Sequence, residues 1–394
     1  VGATAAVAGS VRAAGAPRFD SELVFPLEHW HNHSSSIVEL PGGDLLVCWY
    51  NGSGERSADD VRILAARRPR GARRWRARFE LADTPGFPDT NPILFVDSRE
   101  RLWLIWPAIL ANRWETALLK FRVAPARFKD GAPPWARADN LLFIPLNFEA
   151  RVREAAGAVL AQIPDGPQRD AARQTVEQAG DKYAARMGWM PRNHPLELPS
   201  GRLLVPLYSD GFDFSLVAIS DHGGATWTTS EPLVSAGGVQ PSLVRRRDGT
   251  IVAYMRDNGP PPKRVLTSES RDSGVTWSPV IDSDLPNPGS SLEVIALHDG
   301  SWLMVGNDTE RGRHSLLAQL SDDEGRTWKW RRHIERDERI SGAASFHYPS
   351  VIQAKDGTIH VTYSYFLNHL PEGAPRKAIK HAWFDAAWVK AGTP

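Results

Sequence analysis

Ser220-Asp221-His222-Gly223-Gly224-Ala225-Thr226-Trp227, Ser270-Arg271-Asp272-Ser273-Gly274-Val275-Thr276-Trp277 and Ser321-Asp322-Asp323-Glu324-Gly325-Arg326-Thr327-Trp328 share one pattern, their tryptophans 50 and 51 residues apart. A fixed period of this length marks a repeat architecture, in which each unit buries its apolar face against the next. The pattern itself reads as a tight turn. Ser and Asp side chains bond the turn backbone, Gly supplies a positive φ, and Trp pins the turn to its sheet. A worn fourth copy ends at Trp75.

Working outward, a second repeat runs in phase with the turns: an apolar strand, a Gly or Asp turn, and a second apolar strand. Its six copies open at Ser36, Pro92, Pro195, Pro241, Ser291 and Pro349. A third strand follows in each, such as Leu216 to Ile219, and leads to the Asp-containing turn. Setting aside a tail (residues 1–18) and an insertion, the remainder at about 51 residues per unit makes six blades. The expected fold is therefore all-β, a six-bladed β-propeller in a single domain over residues 19–394. A seventh blade would have to lie in the irregular stretch before residue 190. The segment Phe19 to Leu27 reads as one more strand, placed to supply the outer strand of the last blade and so remove an open edge. Between blades two and three, residues 148–187 read as two amphipathic helices, Glu149 to Gln162 and Gln168 to Met187, split by Ile163-Pro164-Asp165-Gly166-Pro167. Strand counting puts both ends of this insertion on the face where inner strands begin, so it is expected to border the pocket as a lid or subsite wall.

Composition narrows the function classes. With 47 basic and 46 acidic side chains the formal charge is +1, which gives no global attraction to nucleic acid or an anionic membrane. No apolar run reaches the roughly 18 residues of a membrane span. The one cysteine, Cys48, cannot form an internal disulfide and reads as a small hydrophobe in a strand. The Ala-rich start resembles the stub left by a removed export signal, which makes a secreted or periplasmic location the expectation. No phosphate loop, Cys/His metal cluster or nucleophile elbow is present, so neither a metal nor a cofactor is implied.

The three Ser-x-Asp-x-Gly-x-Thr-Trp turns resemble the Asp-box (BNR) repeats of sialidases and sialidase-like propellers, over roughly residues 20–390. The first departs by carrying His222 where the family has Asp. Such boxes define architecture more than chemistry. If each first strand descends, the second returns and the third descends, then the boxes lie on one face and the site on the other. The site face collects His33, Asp89-Thr90-Asn91, Arg192-Asn193-His194, Gln240, Asn287 and His347-Tyr348 before the first strands. After the second strands it collects Tyr50-Asn51, Glu55, Arg56, Trp106 at the end of the second blade's second strand, Tyr208-Ser209-Asp210, Arg256-Asp257-Asn258, Asn307-Asp308, Arg311, Arg313 and Tyr363 to His369, Tyr365 among them. A ring so rich in Arg, His, Tyr and carboxylates suits a sugar.

Arg192 and Arg256, each beside a strand end, form a candidate carboxylate clamp, with Asp210 or Asp257 as the competing ion-pair partners. His33, His194 and His347 suit hydrogen bonding to hydroxyls or general base work. The resemblance implies that Tyr348 is the nucleophile, activated by a nearby carboxylate, and that Asp59 or Asp60, in Glu55-Arg56-Ser57-Ala58-Asp59-Asp60, is the acid. It also exposes a departure: the family's first-blade arginine is replaced by His31-Asn32-His33-Ser34-Ser35-Ser36. The expected function is a sialidase-like glycoside hydrolase that removes a terminal anionic sugar from a glycan. The alternatives are a polysaccharide lyase acting by β-elimination, a rhamnose-glucuronate hydrolase, and a non-catalytic glycan-binding propeller. Neither the sugar nor the oligomeric state can be read from the residues.

Overall fold

A computed structural model of the chain describes residues 16–161 and 164–392; residues 1–15 of the predicted tail and Gln162, the predicted end of the first helix, lie outside the described residues. The strands form six separate sheets, one per predicted unit. Blade 1 runs His31–Glu39, Leu45–Gly52, Arg62–Arg68 and Phe79–Ala82, and the other blades repeat this antiparallel up-down order. Among the described residues no seventh sheet precedes residue 190, so the alternative blade count is set aside.

The core is divided among the interfaces between neighbouring sheets. Leu46, Cys48 and Ile63 of blade 1 meet Leu94, Leu104 and Trp106 of blade 2, and Val47, Trp49 and Leu64 meet Ala378 and Ile379 of blade 6. The second strand of blade 1 thus buries successive residues on opposite faces, which is why it reads as a continuous apolar run rather than an alternating one. Blade 6 is completed by the N-terminal strand Phe19–Leu23, which pairs with Lys377–Phe384, Phe19 opposite Phe384. The predicted closure of the ring is present.

Register fixes the two faces. In blade 3, Leu203 pairs with Ser220, which opens the first Asp-box, while Ser209 pairs with Phe214 at the other end. That span of six steps sets the boxes about 20 Å from the opposite face. Within the second box Asp272 accepts the Thr276 N–H at 2.9 Å and its hydroxyl at 2.6 Å, and the Gly274 N–H reaches Ser270 Oγ at 2.9 Å. In the first box His222 Nδ1 meets the Thr226 hydroxyl at 2.8 Å, replacing one of the bonds that aspartate makes in the others.

The insertion forms three helices: α1 (Phe148–Leu160), α2 (Pro167–Gly180) and α3 (Lys182–Arg186). The second predicted helix is broken because Asp181 is extended and its carboxylate caps Ala184 N at 2.8 Å. Phe148 packs on Trp189, Phe212 and Phe214, with Val152 and Ala179 in the same cluster. The insertion therefore backs the loop after the second strand of blade 3. None of its described residues lines the central cavity, which corrects the expectation of a lid.

Candidate active site

The inner strands open with a repeated irregularity. Register slips between His33 and Ser36, between Val239 and Ser242, and between His347 and Ser350. Inside each bulge one residue is left-handed: Ser34 (φ 56°), Gln240 (φ 56°) and Tyr348 (φ 57°), with Asn91 (φ 42°) at the matching point of blade 2. A bulge re-aims a side chain, and a left-handed non-glycine residue costs on the order of 1–3 kcal/mol. Three of these four residues, Asn91, Gln240 and Tyr348, line one cavity at the ring centre, about 470 Å³ in volume.

Tyr348 sits at its centre. The Tyr348 hydroxyl receives hydrogen bonds from Arg256 Nη1 at 2.8 Å and Gln240 Nε2 at 3.0 Å. The Arg313 guanidinium lies 5.5 Å from the ring centroid and also lines the cavity. Both partners donate, so in these contacts the hydroxyl oxygen is an acceptor. The carboxylate expected beside Tyr348 is absent from these contacts; Gln240, an amide, occupies that place.

His33, at the start of the first inner strand, lies tilted by 37° against the Tyr348 ring, the centroids 4.4 Å apart. Burial holds its ring well below the usual histidine range, so it is neutral. Its Nδ1 is 2.7 Å from Ser364 Oγ, which already accepts the Ser34 N–H at 3.2 Å. That arrangement suits Ser364 donating to Nδ1 and the ring proton residing on Nε2.

Two carboxyls in the cavity stand in opposite states. Burial raises Asp210 to about 6 despite the neighbouring Arg256 charge, with Asp213 adding to the rise. Glu55 is also penalised by burial, yet hydrogen bonds from His31 at 3.0 Å and the Tyr50 hydroxyl at 2.9 Å hold it at about 2. One is poised to carry a proton near neutrality and the other is a fixed anion. Tyr208, held by Asn91 Nδ2 at 3.1 Å, completes the wall with Trp114, Glu115, Asp213 and Asn258.

Several predicted residues lie elsewhere. Arg192, 1% exposed, is not a clamp: it donates to the carbonyls of Ser35 (3.4 Å) and Pro349 (3.0 Å) beneath the Tyr348 ring. The pair of arginines lining the cavity is Arg256 and Arg313. His194 is a partly buried tie, bonded to Glu293 at 2.7 Å and to the Ile37 carbonyl at 2.9 Å. Both partners are acceptors, so the ring is the imidazolium, and Glu293 raises its pKa against the opposing effect of burial. Asp59 binds Asn112 Nδ2 at 2.8 Å and Asp60 caps Ser53 at 3.1 Å; both border a separate surface depression. Asp257 is spent on the N–H groups of Gly259 (2.8 Å) and Arg264 (2.9 Å). His347 packs behind His33 at 4.8 Å, and Tyr365 lies against Phe346 at 5.4 Å, neither in the cavity lining. Trp114, Glu115 and Asp213 were missed. The strand Arg101–Ile109 runs three residues past Trp106, so the loop it feeds, with Trp114 and Glu115, lies beyond the predicted strand end.

Residues 181–361 match the family model of the BNR repeat-like domain. The match takes in just under half of the chain, and the six-sheet fold around it is similar to that of solved sialidase propellers. A sialidase of Micromonospora viridifaciens is 27% identical to this propeller over 187 residues, 45% of this chain and 26% of that protein. The chain thus spans about a quarter of that relative's length. Among solved structures, the leech intramolecular trans-sialidase superposes with a TM-score of 0.68 at 13% identity, covering 94% of this chain and 71% of the other. The intramolecular trans-sialidase of Ruminococcus gnavus gives 0.65 at 13% identity, covering 92% and 96%. A Dyadobacter fermentans protein of unknown function gives 0.67 at 14% identity, covering 93% and 97%. At these identities the structural likeness concerns the fold of the propeller, and its chemistry rests on its own residues.

Proposed function

We propose that the propeller cleaves the glycosidic bond of a terminal anionic sugar. The observation that carries this reading is the Tyr348 hydroxyl held between Arg256 and Gln240, with Arg313 over the same ring. Arg256 and Arg313 would take the sugar carboxylate, and His33 would add the Nε2–H donor where the family has an arginine. Tyr348 would attack the anomeric carbon as its phenolate, the tyrosine exception to the two-carboxylate scheme. Asp210 would give its proton to the departing oxygen. Water would then release the sugar from the tyrosine, with Asp210 now accepting a proton.

One observation favours a second reading. No carboxylate among the described residues bonds the Tyr348 hydroxyl, so a phenolate beside Arg256 could instead remove the proton α to a uronate carboxylate, the C4–O bond then breaking by β-elimination with Asp210 giving its proton to the departing oxygen. Incubation with sialylated oligosaccharides, with oligosaccharides ending in a uronate and with oligosaccharides carrying an internal 4-linked uronate, the products weighed by mass spectrometry, separates the two. Hydrolysis adds the mass of one water across the products, and elimination adds none. Saturable binding with neither product would leave the propeller a glycan-binding module and overturn both readings.

A further inference from the structure

The turn ending near Trp75, on the face that carries the Asp-boxes, is rich in arginine. Seven of the twelve residues 67–78 are arginine, in a chain whose formal charge is only +1. Four of them are used internally: Arg67 with Asp44, Arg68 with Glu22, Arg76 with Asp130 and Arg78 with Glu28. Arg70, Arg73 and Arg74 are exposed and form no ion pair among the described residues.

Arg70 and Arg73 border a groove of about 470 Å³ between blades 6 and 1, together with Arg18, Arg68 and Lys355. A Cβ on Gly43 would lie 2.9 Å from Arg70 Cδ, so the glycine lets the arginine stem lie across the groove wall. Two acids also line it, and both are engaged by backbone: Glu39 accepts Lys355 N at 2.9 Å and Asp356 accepts Thr358 N at 2.9 Å. Leu45 at this end and Tyr50 at the central cavity are five steps apart on one strand, about 17 Å.

We propose that this groove binds a segment of a polyanionic polysaccharide, a chain bearing carboxylate or sulfate groups. Arginine forks match those groups in pairs, where lysine would act only as a point charge. The volume suits one or two sugar units. The free cations sit on one turn, with Lys355 also lining the groove, which is narrower than the spread of charge a nucleic-acid duplex engages. This proposal stands on the groove alone and does not depend on the chemistry at Tyr348.

The test measures binding of the full chain to fluorescent heparin and alginate, with duplex DNA and phosphatidylserine vesicles in parallel, over a salt series. The triple variant Arg70→Ala, Arg73→Ala, Arg74→Ala should bind both polysaccharides about tenfold more weakly, with a shallower salt dependence. Its melting temperature should be unchanged, because none of the three side chains holds an ion pair. A control triple of exposed arginines elsewhere, Arg245→Ala, Arg271→Ala, Arg331→Ala, removes the same charge and should keep wild-type affinity. Equal weakening in the control, no polysaccharide binding by the wild type, or retention on DNA or vesicles alone would each overturn the proposal.

Discussion

Tyr348 shows how one residue can be constrained from two sides. Its left-handed backbone is held from below, where Arg192 grips the Pro349 carbonyl, while its hydroxyl is held from the cavity by Arg256. The arginines should therefore separate by assay. Arg256→Ala and Arg313→Ala should each reduce kcat/KM by about 100-fold with little change in melting temperature. Arg192→Ala should instead destabilise the fold by about 2–4 kcal/mol, because it leaves two buried carbonyls unpaired, and thermal melts read the difference. Tyr348→Phe keeps the ring and the bulge but removes the reacting oxygen, so turnover should fall at least about 1,000-fold in single-turnover assays. Asp210 supplies the pH dependence. As the acid it must be protonated, so activity should decline as pH rises through about 6. Asp210→Asn should be nearly inactive and should lose that limb; an unaltered limb would assign the acid to another group. The same raised pKa bears on stability. Its folded value lies above the unfolded one, so its favourable contribution is complete below about 4 and is lost as pH rises through about 6, an effect of about 3 kcal/mol. Replacement by Asn should flatten denaturant-measured stability across that window.

Among the elements, the hairpins and boxes were readable because period, turn chemistry and apolar runs all recur. Side-chain direction within loops was harder. In residues 53–60 the sequence offers Glu55, Asp59 and Asp60 on nearly equal terms. Only the chain path shows Asp60 turned back to cap Ser53 and Glu55 turned inward to Tyr50. The choice of Arg192 over Arg313 failed for a related reason. A strand-start residue points into the channel wall unless a bulge re-aims it, and a bulge is not visible in apolar patterning. The insertion was correctly read as helical, but strand counting locates only its ends. Phe148 shows its role as a buttress for the loop that carries Asp210 and Asp213. Phe148→Ala should cost about 3–5 kcal/mol of stability, measured in denaturant, and should raise KM by loosening that loop.

At the scale of the molecule, six similar sheets leave one unavoidable seam, closed by Phe19–Leu23 against Lys377–Phe384. Removing residues 16–23 should expose the edge of blade 6 and lower the melting temperature by several degrees, and the truncated chain should associate, as light scattering would show. The seam also has a history within each molecule. Arg18 and Asp385, bonded across it, are 367 positions apart, so Phe19–Leu23 waits unpaired until the last strand of blade 6 has left the ribosome. Five sheets can assemble in order of synthesis from neighbouring segments, whereas the sixth must recruit a partner across a loop that holds the other five. During that interval the apolar side of blade 6, including Phe384 and Trp388, is where a chaperone or a second nascent copy would meet the protein.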